Sequence, residues 1–344
     1  MQRKPNSGWA KKRRHKTRSR YGKYAHGHSI KFSAGTALIE RIIKLFIYGI
    51  LRIAIPNYIK SSKLKSKNIV NDTYKKLNSP EFAFIPSGFA LYLFMSFIPV
   101  LAIVSSIGNI NDEFGEILRY VQSRIIPGID KLIPNFLNIS NGVKSAELYV
   151  AILFVISALW ISSSGYAKFV QSNSILYEHN DLGNIIKNRI KGIWIVICLT
   201  IILTIGFLII TSFLYFLKTK AGYHIDSWQF KMVFYVTIPF LIMMFLTMSY
   251  MLLYHHAPLF KVKYSQVMPG VLISSIPITI FVVSFGFLIS LINYEKFGIL
   301  SSFMYIQFFL MNMSYFTYMG VLINASFFKT FVSSQTISKK TRRI

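Results

Sequence analysis

Six long apolar stretches divide this chain, and they constrain its fold more than any other feature. Each has about 20 residues or more, enough for a helix to cross a hydrocarbon core of roughly 30 Å. Lipid-exposed segments must satisfy their own backbone hydrogen bonds, so such stretches are helices. The sequence therefore predicts an all-α, polytopic membrane protein with six transmembrane helices. The stretches are, approximately, 82–110, 147–170, 192–217, 232–254, 268–292 and 302–326.

The charge distribution predicts how these helices are oriented. With the N-terminus in the cytoplasm, the inside segments contain 31 of the 39 Lys and Arg residues and 5 of the 12 Asp and Glu residues. The outside loops keep 8 basic and 7 acidic residues, so net charges of +26 inside and +1 outside make up the total of +27. This is the positive-inside distribution. It predicts a multi-pass protein of the cell (cytoplasmic) membrane, with both termini in the cytoplasm.

The N-terminal segment, residues 1–35, contains 11 basic residues and no acidic one. Such a segment repels itself and has little to bury, so a disordered cytoplasmic tail is expected. Three roles remain open: enforcing orientation, contact with anionic lipid, and contact with nucleic acid. The first two are favoured over the third. The residues expected to contact anionic lipid headgroups are Lys11, Lys12, Arg13, Arg14 and Lys16.

Residues 36–81 precede the six-helix membrane domain, which we place at residues 82–328. Their first part predicts an amphipathic helix that lies in the cytoplasmic interface, followed by a basic connection. On one side of this helix lie Glu40, Arg41, Lys44 and Arg52, opposite Leu38, Ile42, Leu45 and Ile53. A second basic cytoplasmic tail is expected at residues 329–344. The longest outside loop, 111–146, is expected to hold one or two short helices.

Residues that carry chemistry are scarce. His255 and His256 are adjacent, so they point to different faces of a helix and do not by themselves make a metal site. No carboxylate pair, glycine-rich phosphate loop or nucleophile motif stands out. A single cysteine, Cys198, excludes a disulfide within the chain. The sequence therefore predicts no catalytic residue, no metal and no cofactor.

Polar and small residues instead form stripes along four of the predicted spans. They can pack helices, because small residues permit close approach and hydroxyls bond across helices. They can also converge on one polar cavity, and Pro86, Pro99, Pro269 and Pro277 favour this second interpretation by freeing backbone carbonyls in two spans. The candidate cavity residues are Tyr92, Ser96, Pro99, Ser157, Trp160, Ser164, Ser274, Pro277, Gln307 and Asn312.

Several short motifs occur in order along the chain. They are Ala90-Leu91-Tyr92-Leu93-Phe94-Met95-Ser96-Phe97-Ile98-Pro99, Ala158-Leu159-Trp160 with Ser164-Gly165, Asn173 with Tyr177, Tyr254 with Ala257-Pro258, Met268-Pro269-Gly270, Tyr294 with Phe297-Gly298, and Gly320 with Asn324. Each fragment alone is weak, but their order and spacing are specific. Over essentially all of residues 36–328 the chain resembles the YihY/BrkB family of bacterial inner-membrane proteins.

The chain departs from the family pattern in its last block. The family often has Tyr-Gly where this chain has Phe297-Gly298. Leu322 stands where the family often has an acidic residue, so a charge-coupled step that depends on this acid has no counterpart here. The resemblance implies a six-span cytoplasmic-membrane protein with no established molecular activity. An older family label, ribonuclease BN, would require a metal constellation that these residues do not supply.

Two functional hypotheses of different class follow. In the first, the protein is transporter-like and translocates a lipid or another amphiphile, since such a pathway needs few buried charges. In the second, it is a membrane scaffold whose basic tail recruits anionic lipid or a cytoplasmic partner. A ribonuclease is a remote third alternative.

Overall fold

The computed structural model describes residues 34–108, 112–125, 145–222, 227–291, 298–333 and 336. Over these residues the chain is helical and contains no β-strand. It divides into two units, Met1–Ile43 and Lys44–Ile344, and the packing below is that of the second unit. The predicted lipid contacts Lys11, Lys12, Arg13, Arg14 and Lys16 lie outside the described residues.

Ten α-helices follow one another along the described residues, and a π-helical turn, Phe328–Val332, continues the last of them. They are α1 (Ala34–Ala54), α2 (Pro56–Ser61), α3 (Lys63–Leu77), α4 (Pro80–Gly108), α5 (Asp112–Ile125), α6 (Ser145–Leu176), α7 (Ile185–Ala221), α8 (Trp228–His256), α9 (Tyr264–Leu291) and α10 (Gly298–Phe327).

Five segments of these helices are long and apolar enough to cross a membrane. They are Phe84–Ser105, Ile185–Lys220, Trp228–His256, Tyr264–Leu288 and Phe303–Val332. Each overlaps one of the six predicted stretches, which confirms an all-helical fold with several candidate spans. The remaining stretch, 147–170, lies within α6, a helix of 32 residues that is not among the five. Its crossing of the membrane stays a prediction.

Capping residues mark the end of α7 and the start of α8. Ser227 precedes α8, and its hydroxyl accepts a hydrogen bond from the Phe230 amide at 3.2 Å. This N-cap satisfies one of the amides that a helix start leaves free. Gly222 ends α7 with φ +69°, a left-handed conformation that costs glycine least because it lacks a Cβ.

Helix α5 confirms that the 111–146 segment contains a short helix. Its apolar face is buried through Ile117, Leu118 and Val121, and it packs against α4, α7 and α9. Glu116 on its other face forms an ion pair with Lys218 of α7. The helix therefore belongs to the bundle itself rather than to a separate domain.

Glycines bring α6 close to its two main neighbours. A Cβ at Gly192 of α7 would collide with the backbone oxygen of Ser163 and would lie 2.9 Å from the Ala167 amide nitrogen. A Cβ at Gly165 would overlap the side chain of Tyr92 on α4. The close approach of α6 to α7 fixes the geometry of the surface described below.

The connection between α6 and α7 packs against the C-terminal end of the structure. Lys329 pairs with Glu178 at 2.7 Å, and the His179 ring packs on Phe260 with centroids 5.0 Å apart. His179 Nδ1 also lies 2.5 Å from Thr336 Oγ1. His179 is 7% exposed, and this burial lowers its pKa below the ordinary value, against the opposing effect of Asp181.

The stability of this connection should fall in mild acid. A histidine whose folded pKa is depressed stabilises the fold fully above its unfolded pKa of about 6.5 and loses that contribution as pH falls through the folded pKa. Purified protein in detergent should therefore melt at a lower temperature at pH 5.5 than at pH 7.5. His179→Gln should reduce this difference. An unchanged difference in the variant would assign the pH dependence to other groups.

Candidate functional site

The polar stripe of α6 faces outward from the bundle. Ser157, Trp160 and Lys168 are exposed, with the Trp160 side chain 60% exposed, and Ser164 between them is half-buried. The Ser157 hydroxyl donates to the Leu153 carbonyl at 2.7 Å, which satisfies its donor within its own helix. We call these four residues the α6 stripe.

Arg189, near the start of α7, reaches across to this stripe. Its Nη2 donates to the Trp160 carbonyl oxygen at 2.7 Å, and its guanidinium carbon lies 4.3 Å from the centroid of the Trp160 ring. An arginine in this position gains a cation–π contact as well as a hydrogen bond. No carboxylate among the described residues forms an ion pair with it. Within the described part of the chain, the side chain therefore adds an unpaired positive charge beside the stripe.

A groove between α6 and α7 opens next to Arg189. Its volume is about 450 Å³. This falls within the roughly 300–1,000 Å³ that is usual for small-molecule sites. The lining is apolar apart from one hydroxyl and the Trp160 ring, and its residues are Ile156, Ser157, Leu159, Trp160, Ile161, Ile193, Val196 and Ile197.

Lys168 lies on the same exposed face of α6, eight residues beyond Trp160. Its Nζ donates to the Tyr92 hydroxyl at 2.7 Å and stands 5.0 Å from the centroid of the Tyr92 ring. Tyr92 and Lys168, from α4 and α6, therefore form one polar contact on the outside of the bundle. The α6 stripe thus carries one positive charge of its own, Lys168 beside α4, and has a second next to it, Arg189 of α7.

Two small cavities lie inside the bundle. One, of about 60 Å³, is lined by apolar residues that include Phe207, Phe245 and Ile278. The other, of about 50 Å³, carries hydroxyls on α4, α6, α7, α8 and α10, from Ser96, Tyr166, Thr200, Ser249, Tyr250 and Thr317. Each has room for a few water molecules at most and is far below the size of a lipid or drug-like ligand.

The ten candidate cavity residues do not share one environment. Ser96 lines the polar interior cavity, whereas Ser157 and Trp160 line the outer groove. Ser164 lies on the α6 stripe, and Tyr92 of α4 contacts Lys168 of that stripe. Ser274, Pro277 and Pro99 are buried in helix contacts, and Gln307 and Asn312 are half-buried on α10. Asn312 donates to the Phe308 carbonyl of its own helix at 2.8 Å.

Ser274 belongs to a hydrogen-bonded cluster that joins α8, α9 and α10. The Tyr254 hydroxyl donates to the Thr317 carbonyl at 2.7 Å and lies 2.6 Å from Ser274 Oγ. Ser274 in turn donates to the Phe316 carbonyl at 2.8 Å. One turn away, the Gly270 amide donates to Asn324 Oδ1 at 2.7 Å. Because these hydrogen bonds run between different helices, the cluster holds the helices together, although the buried Asn324 Nδ2 has no partner among the described residues.

Comparison with known protein families identifies the family of this chain. The family described as "Virulence factor BrkB" matches residues 73–344. The chain belongs to the BrkB family. This confirms the family suggested by the motifs, while residues 36–72 lie outside the match. No curated protein and no solved structure matches the sequence.

The BrkB motif residues lie mainly at helix contacts. Tyr254, Gly270, Gly320 and Asn324 meet at the α8–α9–α10 cluster, although they are spread over about 70 residues of sequence. Leu322, at the position where the family often has an acid, is 1% exposed and belongs to the apolar core. The leucine therefore suits its surroundings, and this BrkB chain has no carboxylate at that point.

Sequence reasoning missed Arg189 and the hydroxyls of the interior cavity. In the sequence Arg189 contributes to the inside charge, and its position within the first turns of a span is the signal that could identify it. Thr200, Ser249 and Thr317 are single polar residues in apolar helices, and their convergence depends on helix rotation, which the sequence leaves open. Among the described residues, no group of three His, Cys, Asp or Glu side chains is placed to hold a metal ion.

Proposed function

We propose that this BrkB family protein is transporter-like and moves a lipid or a similar amphiphile across the cytoplasmic membrane. The observation that carries the proposal is the outward-facing α6 stripe beside the α6–α7 groove. A polar headgroup that enters hydrocarbon loses its hydrogen bonds to water, at a cost of several kcal/mol. Hydroxyl and cationic side chains along the stripe replace part of those bonds, while the acyl chains remain in the surrounding lipid.

The proposed topology has six spans, with α6 as the second. At 1.5 Å per residue its 32 residues extend about 48 Å, more than the roughly 30 Å of a bilayer core. The charge balance supports an orientation with both termini in the cytoplasm. In this orientation Lys168 and Arg189 lie near the inner leaflet. The exposed apolar side chains Leu45 and Ile53 of α1 support an interfacial position for the second half of that helix.

Reconstitution tests this proposal. Proteoliposomes would contain a headgroup-labelled phospholipid, and a membrane-impermeant quencher would report how fast the label changes leaflet. We expect faster exchange than in empty vesicles, and little change for labelled sugars or amino acids. Exchange at the rate of empty vesicles, in lipid mixtures of several compositions, would rule translocation out.

The scaffold alternative rests on the tail, which has 11 basic and no acidic residues in positions 1–35. Such a tail would bind anionic lipid at the cytoplasmic face, with Lys11, Lys12, Arg13, Arg14 and Lys16 as the contacts. Deleting residues 1–35 separates the two functions: a scaffold loses its function, whereas a translocating protein keeps most of its exchange rate. Recruitment of nucleic acid by the same tail is disfavoured.

The proposal includes no covalent chemistry, no metal and no cofactor. A ribonuclease activity remains the remote alternative carried by the older family label. Degradation of RNA by the purified protein with a divalent metal would revive it.

A further inference from the structure

We propose that the α6–α7 groove is a binding site for an anionic phospholipid, whose phosphate contacts Arg189 and whose acyl chain lies in the groove. The inference rests on the proposed function for its biological role, because it names the headgroup class that the stripe would handle. Binding itself is a separate property and can be measured without any translocation.

The groove suits an acyl chain. Six of its eight lining residues are aliphatic, and they come from both helices: Ile156, Leu159, Ile161, Ile193, Val196 and Ile197. An apolar lining selects for a hydrocarbon tail and offers a peptide or nucleotide few hydrogen bonds. The same face of α7 continues with exposed isoleucines at 186 and 190, 74% and 63% exposed, so the groove opens onto a lipid-facing surface.

Arg189 suits a phosphate. A guanidinium has five N–H donors in a planar fork that matches phosphate oxygens. In this structure the Trp160 carbonyl takes one donor, from Nη2, and Nε is buried without a partner among the described residues, which leaves the other Nη hydrogens for a ligand. Because no carboxylate among the described residues pairs with this guanidinium, an anionic oxygen at this point gains a charge-assisted hydrogen bond.

Trp160 holds the arginine in place before any ligand binds. The ring lies under the guanidinium, and the backbone oxygen of the same residue accepts its hydrogen bond. Fixing both contacts to one residue restricts the rotamers of a long side chain, so less freedom is lost on binding.

The depth of Arg189 favours a lipid of the inner leaflet. Arg189 is the fifth residue of α7, so it lies close to the partial positive charge at the start of this helix. No side chain caps the helix at this end. Lys187 lies in the same turn but is paired with Asp181 at 3.7 Å. In the proposed orientation this is the cytoplasmic leaflet, where anionic lipids give a negative surface potential.

Photocrosslinking in proteoliposomes tests the site in the full-length protein. The probes are phosphatidylglycerol and phosphatidylcholine that carry the same photoreactive group on one acyl chain, and the labelled residues are identified by mass spectrometry. We expect phosphatidylglycerol to label residues 156–161 and 193–197 several-fold more than phosphatidylcholine does. Arg189→Gln should lower phosphatidylglycerol labelling there about fivefold, the factor that corresponds to one basic residue near anionic lipid.

Matched variants make the result specific. Arg52→Gln removes an exposed arginine of α1 and should leave labelling of the groove unchanged. Arg189→Lys keeps the charge but loses the planar fork, so labelling between that of the wild type and that of Arg189→Gln is expected. If Arg189→Gln does not fold, Arg189→Lys and the comparison of the two lipids in the wild type still test whether the groove selects an anionic phospholipid.

Equal labelling by the two lipids in the wild type would overturn the inference and leave the groove as an apolar contact with any lipid. Labelling that Arg189→Gln leaves unchanged would do the same. If labelling is selective but labelled lipid does not change leaflet, the site stands and the proposed translocation fails. If lipid changes leaflet without selective labelling, translocation stands and the site fails.

Discussion

Protein with Gly270→Leu is expected to lose its folded state. Gly270 of α9 faces α10 so closely that a Cβ would collide with the Gly320 carbonyl oxygen and with the Asn324 amide. The first of these atoms belongs to the backbone, so it cannot turn away as a side chain would. Parting the helices would also break the hydrogen bond from the Gly270 amide to Asn324 Oδ1.

The expected loss of stability is about 2–6 kcal/mol, since overpacking and a lost buried hydrogen bond each cost roughly 1–3 kcal/mol. This is a large share of the 5–15 kcal/mol that holds a typical domain together. Yield of monodisperse protein in detergent and its melting temperature measure the effect. Gly88→Leu is the matched control, because Gly88 is exposed and a Cβ there meets nothing within 4 Å. Similar behaviour of the two variants would contradict this account of α9–α10 packing.

The second large effect concerns the α6 stripe. Ser157→Leu combined with Ser164→Leu should slow leaflet exchange of labelled lipid by about tenfold or more, which corresponds to losing about 1.4 kcal/mol of barrier lowering. The two hydroxyls would no longer replace the hydrogen bonds that a headgroup has in water. Folding should be preserved, because Ser157 is exposed and Ser164 is half-buried, and leucine is favourable next to lipid.

A control variant separates the stripe from a general effect of added leucine. Ser212→Leu combined with Ser284→Leu makes the same chemical change at exposed positions of α7 and α9, away from the stripe. This control should exchange lipid at the wild-type rate. Equal slowing in both double variants would show that the stripe has no special role, and slowing together with a lower melting temperature would assign the effect to stability.

The positions of the spans followed from sequence because hydrophobic length is a property of each segment alone. The stretch 192–217 lies within α7 and the stretch 232–254 within α8, and both helices extend further at each end, by two to seven residues. The prolines were less informative about where a helix is interrupted. Pro99 and Pro277 lie inside continuous helices, and so does Pro239, which was not singled out. Neighbouring helices in a bundle can accommodate the backbone groups that a proline frees.

The direction of each stripe could not be obtained in the same way. Ser157, Trp160 and Lys168 share one face of α6 whether that face points into the bundle or toward lipid, since the helical period fixes only their mutual angle. The direction depends on how α6 is rotated against α4 and α7. Gly165 and Gly192 set that rotation through close contacts, and the sequence does not reveal their partners.

The most direct test of the account is to block the α6–α7 groove. A single thiol would be placed there by Ser157→Cys in a Cys198→Ser background and then modified with a bulky methanethiosulfonate reagent in proteoliposomes. The account predicts that modification lowers lipid exchange about tenfold, toward the rate of empty vesicles, while modification of Ser212→Cys in the same background has little effect. Unchanged exchange after complete modification at position 157 would contradict a pathway along the outer face of α6.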